Sequence, residues 1–254
     1  MSAASALEKW VDQISRLTPL SQDERHALLR LPAFSFKYRS GSVINGMRPR
    51  KADVGIVVEG LVAQVQDTAV GRRQITAFHI PGDACDLHSY ALPGRPAVLV
   101  ASTATEMLSI PHRALAAVAQ RHPVLTEAFW RYSSAKMLIL AEWAVRIGTR
   151  TARQRLAHLT CELAARCDAL PQEGSADFLL RLTQQSLGEA LSLTSVHINR
   201  MAKAMRDDGM LDITRGRITI LDARRLIAEA EFDPTYLIMA PSHNAEQRAG
   251  QRIA

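Results

Sequence analysis

Residues 182–221 restrict the fold of this 254-residue chain more than any other stretch. Thr183 and Thr194 each stand where a helix would begin, and a hydroxyl there can accept from an orphan backbone N–H. Leu187, Leu191, Leu193, Ile198 and Met201 supply an apolar set that joins two short helices. Gly188 lets the second helix approach closely, and Gly209 suits the left-handed end of that helix. Leu211–Thr214 and Ile218–Leu221 then alternate as strands around Arg215-Gly216-Arg217. Helix, tight turn, helix and hairpin is the order of a winged helix-turn-helix, which places its second helix in the DNA major groove. One position departs from the pattern. Ser192 stands at a turn that Gly fills more easily, and a left-handed residue with a Cβ costs about 1 kcal/mol.

With Ile198 and Met201 inward, the 3.6-residue period turns Ser195, Val196, Asn199 and Arg200 outward behind the cap Thr194. Arg pairs bidentately with guanine, Asn with adenine, and Val suits the thymine methyl, so these are base-reading candidates. Lys203 and Arg206, further along, are expected at phosphates, and Arg215 and Arg217 make a basic wing tip. A plain helical hairpin with a solvated charged face would explain the polar residues alone. It would not explain the caps, Gly188, the apolar spacing and the Arg-Gly-Arg hairpin together.

The chain resembles the Crp/Fnr-type transcription regulators over roughly residues 20–235. The likeness rests on the reader, on Ile80-Pro81-Gly82-Asp83, on Arg150-Thr151-Ala152-Arg153-Gln154-Arg155-Leu156, and on Leu193-Thr194-Ser195-Val196-His197-Ile198-Asn199-Arg200. Many members carry an acidic residue at the position of Val196, so their preferred DNA sequence does not transfer. The resemblance implies an α+β protein: an N-terminal β jelly roll of the cyclic-nucleotide-binding type, a long dimerisation helix and a C-terminal winged helix-turn-helix. The expected boundaries are 1–121 for the sensor-like domain, 122–148 for the helix, 149–236 for the DNA-binding domain and 237–254 for a disordered tail. Expected partners are double-stranded DNA carrying an inverted repeat, a second copy of the chain, and RNA polymerase.

Charge agrees with a polyanionic partner: the net is +6 and the pI about 9.6. It is not concentrated in the reader as a whole, so local clusters carry more information. Arg146, Arg150, Arg153 and Arg155 lie close together without an intervening acid, and phosphate contacts beside the reader are expected from them. No apolar run is long enough to span a bilayer, and Met1–Trp10 lacks the apolar core of a signal peptide, so a cytoplasmic bacterial-type protein is the simplest expectation. Cys85, Cys161 and Cys167 have neither the even number nor the spacing of a disulfide framework. Phosphate-loop, nucleophile-elbow and HExxH motifs are absent, so no catalytic residue, metal or cofactor is assigned and no enzymatic activity is expected.

From about Tyr38 to Ile110 the pattern changes to short strands punctuated by turn residues, as in a jelly roll. In the related cassette a Glu holds a ribose hydroxyl and an Arg neutralises the phosphate. Here Asp86-Leu87-His88 stands near the Glu motif and Pro96-Ala97 near the Arg-Ser pair, with Arg95 out of register. Asp86, Leu87, His88 and Arg95 therefore mark a candidate effector pocket that is degenerate for cyclic AMP. The alternative is a small-ligand or thiol sensor using Cys85 and His88, with DNA binding secondary.

His122–Ile147 contains no Gly, and Pro123 suits a first helical turn. Leu125, Phe129, Ser133, Met137, Leu140, Ala144 and Ile147 recur at spacings of three and four, which is a seam for a partner helix or for the chain's own barrel. The family resemblance favours the dimer seam.

Overall fold

The computed structural model describes residues 1–44, 52–92 and 97–238. Two N-terminal helices precede the roll: α1 (Ala3–Leu17), capped by Ser2, and α2 (Gln22–Leu29), with a Ser21/Glu24 capping box. In α1 the residues Leu7, Trp10, Val11 and Ile14 recur at helical spacing, and all are buried.

The roll is two antiparallel sheets. One orders β1 (Phe34–Tyr38), β7 (Thr105–Pro111), β2 (Asp53–Glu59) and β5 (Ala84–Cys85). The other orders β4 (Arg73–His79), β3 (Val62–Asp67) and β6 (Val98–Ala101). Between β5 and β6 lies the short helix α3 (His88–Ala91). Buried residues from the strands split into two groups. Val57, Val62, Cys85, Leu99 and Met107 form a small apolar cluster of their own. Val54, Ile56, Val58, Leu61, Ala63, Val65, Ile75 and Phe78 join the main core with α1 and the long helix.

After β7 come α4 (His112–Arg121) and the 26-residue α5 (Val124–Thr149). The residues of the expected α5 seam do not share one face. Leu125 and Phe129 are buried within their own chain, and Phe129 stacks on Trp10 with ring centroids 6.3 Å apart. They share the inward face with Tyr132, Ala135, Ile139 and Trp143. The outward apolar stripe runs Trp130, Ser134, Met137, Ala141, Ala144 and Gly148, at alternating spacings of four and three. Trp130 is 72% exposed and Met137 64%, with Leu138, Leu140 and Val145 exposed on the flanks and Ile147 half-buried. Of the expected seam, Met137, Leu140 and Ala144 lie outward. The reason is α1: its apolar face covers the first turns of α5 and takes Leu125 and Phe129 into the core.

Helix α6 (Ala152–Arg166) opens with a Thr151/Gln154 capping box and leads to the reader. The reader consists of β8 (Ala176–Leu179), α7 (Gln184–Leu191), α8 (Ser195–Asp207), β9 (Leu211–Thr214), β10 (Arg217–Ile220) and α9 (Ala223–Ala230). Its sheet order is β8-β10-β9, so the wing has a third strand beyond the hairpin that the sequence indicates. Leu237 is buried in the main core, and residues 239–254 of the expected tail lie outside the described residues. Among the described residues no helix is long and apolar enough to cross a membrane.

A buried polar network ties the three parts together. Asp83, from the Pro-Gly-Asp turn, meets Lys136 of α5 at 3.1 Å and Arg166 of α6 at 2.5 Å. Arg166 also donates to the Phe78 carbonyl in the roll at 2.9 Å. Glu162 of α6 accepts from Trp143 Nε1 at 3.0 Å and pairs with the fully buried Arg146. Burial alone raises the Asp83 carboxyl, but Lys136 and Arg166 outweigh it and hold that carboxyl well below the usual carboxylate range. Removing one partner from such a set leaves an uncompensated buried charge, at about 3–5 kcal/mol.

Candidate nucleic-acid interface

Helix α7 ends at Ser192, whose φ of +54° is left-handed, and Leu193 N–H donates to the Gly188 carbonyl at 3.0 Å. A Cβ on Gly188 would lie 2.6 Å from the Leu193 carbonyl oxygen, so the tight turn requires glycine there. The left-handed Ser192 has a compensation that sequence could not show. Its Oγ donates to Gln74 Oε1 of β4 at 2.7 Å, and Gln74 Nε2 donates to the Ala190 carbonyl at 3.2 Å. The roll thereby grips the helix-turn-helix at its turn.

Thr194 accepts from His197 N–H at 3.2 Å and caps α8. Ile198 and Met205 are buried beneath that helix, and Met201 packs partly against the core. Ser195, Val196, Asn199, Arg200 and Lys203 are all exposed on its outer face, as their spacing predicts. Val196 is 75% exposed, so the helix presents an apolar side chain to solvent between polar ones. Arg200 and Lys203 have no ion-pair or hydrogen-bond partner among the described residues, whereas Arg206 lies 3.6 Å from Asp212. Asn199 is engaged with Gln184, a partner that outward position alone does not reveal.

At the wing tip Arg215 and Gly216 both have positive φ, +53° and +81°, the conformation of a two-residue type I′ hairpin. A Cβ on Gly216 would lie 2.5 Å from Arg181 Cα, because Arg181 N–H donates to the Gly216 carbonyl at 2.8 Å. Arg181 is exposed beside Arg215 and Arg217 and makes a third cation of the tip. Arg217 pairs with Asp177 of β8, while Arg215 has no such partner among the described residues.

The arginines of residues 146–155 do not serve as the sequence suggests. Arg146 is buried against Glu162, and Arg150 meets Glu142 at 2.8 Å. Arg153 meets Asp208 at 2.7 Å and Glu229 at 3.2 Å. Arg155 donates to the carbonyls of Arg150 and Leu191. Arg146 joins α5 to α6, Arg153 joins α6 to the reader, and Arg150 is held by an acid of α5 itself.

In the roll, Asp86 has a φ of +59° and a buried carboxyl 3.1 Å from His88 Nε2. Leu87 is buried in the main core, and His88 is partly exposed. Arg95 lies outside the described residues. Burial pushes the Cys85 thiol well above its ordinary value, with the Asp83 carboxylate adding to the effect, so it stays protonated. His79 is buried beside this region with neither ring nitrogen hydrogen-bonded among the described residues.

Residues 154–229 match the model of the Crp-like helix-turn-helix domain. The chain is also 26% identical over 217 residues to the transcriptional activator protein FnrL of Cereibacter sphaeroides, covering 83% of this chain and 86% of that one. Its helix-turn-helix region is Crp-like, and the chain as a whole is similar to regulators of the Crp/Fnr type. The solved structure of FixK2 from Bradyrhizobium japonicum has the same fold, with a TM-score of 0.67 at 24% identity over 78% of this chain and 97% of that one. So does a putative cyclic nucleotide binding protein from Ruegeria pomeroyi, with a TM-score of 0.64 at 19% identity over 91% and 100%. Within this shared fold the helix-turn-helix match covers the elements that carry the exposed face of α8.

Proposed function

We propose that the chain is a homodimeric, sequence-specific DNA-binding transcription regulator whose two α8 helices enter successive major grooves of an inverted repeat. One observation carries this reading. Helix α8 is locked from beneath by Ile198 and Met205, yet presents Ser195, Val196, Asn199, Arg200 and Lys203 to solvent. Such a face can read base edges, with Arg200 suited to guanine and Val196 to a thymine methyl. The names of relatives agree: one is a transcriptional activator protein, another a nitrogen fixation regulation protein from Azorhizobium caulinodans at 26% identity. The α5 stripe from Trp130 to Gly148 supplies the dimer seam, and RNA polymerase is the further partner of a regulator of this kind.

The Asp86–His88 pair supports the view that the roll is degenerate for cyclic AMP: the carboxyl that would meet a ribose hydroxyl is already engaged. The buried, protonated Cys85 weighs against the thiol-sensor alternative. The test is binding of wild-type and Arg200→Ala protein to a selected site and to random duplex. The expected loss is about 1–3 kcal/mol on the selected site with little change on random DNA. Equal losses on both would make Arg200 a phosphate contact only.

A further inference from the structure

Gln184 is the first residue of α7, and Asn199 sits at the start of the second turn of α8. Their amides face each other. Asn199 Nδ2 donates to Gln184 Oε1 at 2.6 Å, and Gln184 Nε2 donates back to Asn199 Oδ1. Both side chains are exposed, so this reciprocal pair lies on the reader's outer surface.

A primary amide has one edge on which a carbonyl lone pair and an N–H point the same way. That edge makes the two-bond pair with adenine, accepting from N6 and donating to N7. The reciprocal pair with Gln184 uses the same edge. The remaining lone pair and the remaining N–H of Asn199 point to opposite flanks and cannot both reach one base. Gln184 thus holds Asn199 as an adenine would.

We propose that Gln184 is a specificity-determining residue that occupies the base-reading edge of Asn199, so that Asn199 reads adenine only by giving up this partner. The proposal rests on the reading that Asn199 faces bases. Two properties follow. The adenine preference at the Asn199 position is muted in the wild-type protein, because each new pair replaces an existing one. It sharpens when the competitor is removed, by roughly two- to tenfold, the worth of a typical net hydrogen bond.

The experiment uses the full-length protein and a selected duplex varied through all four base pairs at each position. Asn199→Ala first identifies the position whose preference it abolishes. At that position Gln184→Ala and the length-matched Gln184→Met should both sharpen the preference for adenine. In an Asn199→Ala background neither should have any effect there. Thermal melts of all variants check that the reader remains folded; both side chains are exposed and the Thr183 cap is untouched. An unchanged preference, or an equal loss on all four base pairs, would overturn the proposal and make Gln184 a backbone contact. A weakened adenine preference would also overturn it, since the pair would then position Asn199 rather than block it. If Asn199→Ala changes no position, the reading of Asn199 as a base contact fails, an outcome distinct from the other three.

Discussion

Gly188 sets how closely the two helices of the reader meet. Alanine gains up to about 1 kcal/mol over glycine in a helix, but here its Cβ would press on the Leu193 backbone at 2.6 Å. Overpacking against backbone costs about 1–3 kcal/mol. Gly188→Ala should therefore lower the unfolding free energy by about 1 kcal/mol and weaken DNA binding. A variant as stable as wild type in urea unfolding would show that the turn has room. Glycine at this position was legible in sequence because its role is local. The role of Ser192 was not: its hydroxyl finds Gln74, which lies 118 residues earlier. The four arginines of residues 146–155 mislead for a similar reason: Glu162, Glu142, Asp208 and Glu229 engage Arg146, Arg150 and Arg153, and backbone carbonyls engage Arg155.

His79 is a second residue whose environment decides its behaviour. Burial, with Lys136 next and Arg166 and His88 adding, pushes its pKa down to about 3 from 6.5; Asp83 alone opposes. Between those values the unfolded chain binds a proton that the folded chain refuses. Stability is therefore fully present above pH 6.5 and falls as pH drops toward 3, at about 1.4 kcal/mol per pH unit. His158, lowered by burial and then by Arg146 and Arg150, adds a slope of the same sign. Asp83, held low, keeps its contribution until the pH falls below the ordinary carboxylate range. Urea unfolding of His79→Leu from pH 7.5 to 5 should show a pH dependence shallower by about one proton; a slope unchanged from wild type would contradict this account.

At the scale of elements, the wing combines three strands and three cations. Arg215 is free to meet a phosphate, whereas Arg217 must first leave Asp177. Arg215→Ala should weaken all duplexes similarly and reduce the salt slope by about one unit, with Arg217→Ala having the smaller effect. Salt titrations of both variants distinguish this from groove reading, which would alter the preferred sequence. Strand β8 was not legible because four residues give too short a period, and its existence depends on pairing with β10. Helix α1 was legible in principle: Leu7, Trp10, Val11 and Ile14 have the spacing of an amphipathic helix. Its consequence was not, because only packing shows that it takes Leu125 and Phe129 into the core.

On the scale of the whole molecule, Asp83 and Arg166 join roll to reader, Trp143 and Arg146 join the long helix to Glu162, and Gln74 holds the turn at Ser192. The reader's orientation is therefore set by the roll and α5 rather than by a loose linker. The stripe of Trp130, Met137, Ala141 and Ala144 is exposed, and it is the face on which the proposed dimer would form. Met137→Asp combined with Ala141→Asp should yield folded monomers that lose specific binding. The same change at Leu125 and Phe129 should instead unfold the chain, since two charges would be buried in its core.

Two copies of α8 are expected to read one duplex together. Selection of bound sites from random duplexes, with the mass of the complex measured on the winning sequence, tests it most directly. The expected winner is an inverted repeat whose half-sites are centred about 34 Å apart, bound by two protomers, with the repeat lost in the Met137→Asp/Ala141→Asp protein. Enrichment of no sequence, or of a single half-site bound by one protomer, would contradict it.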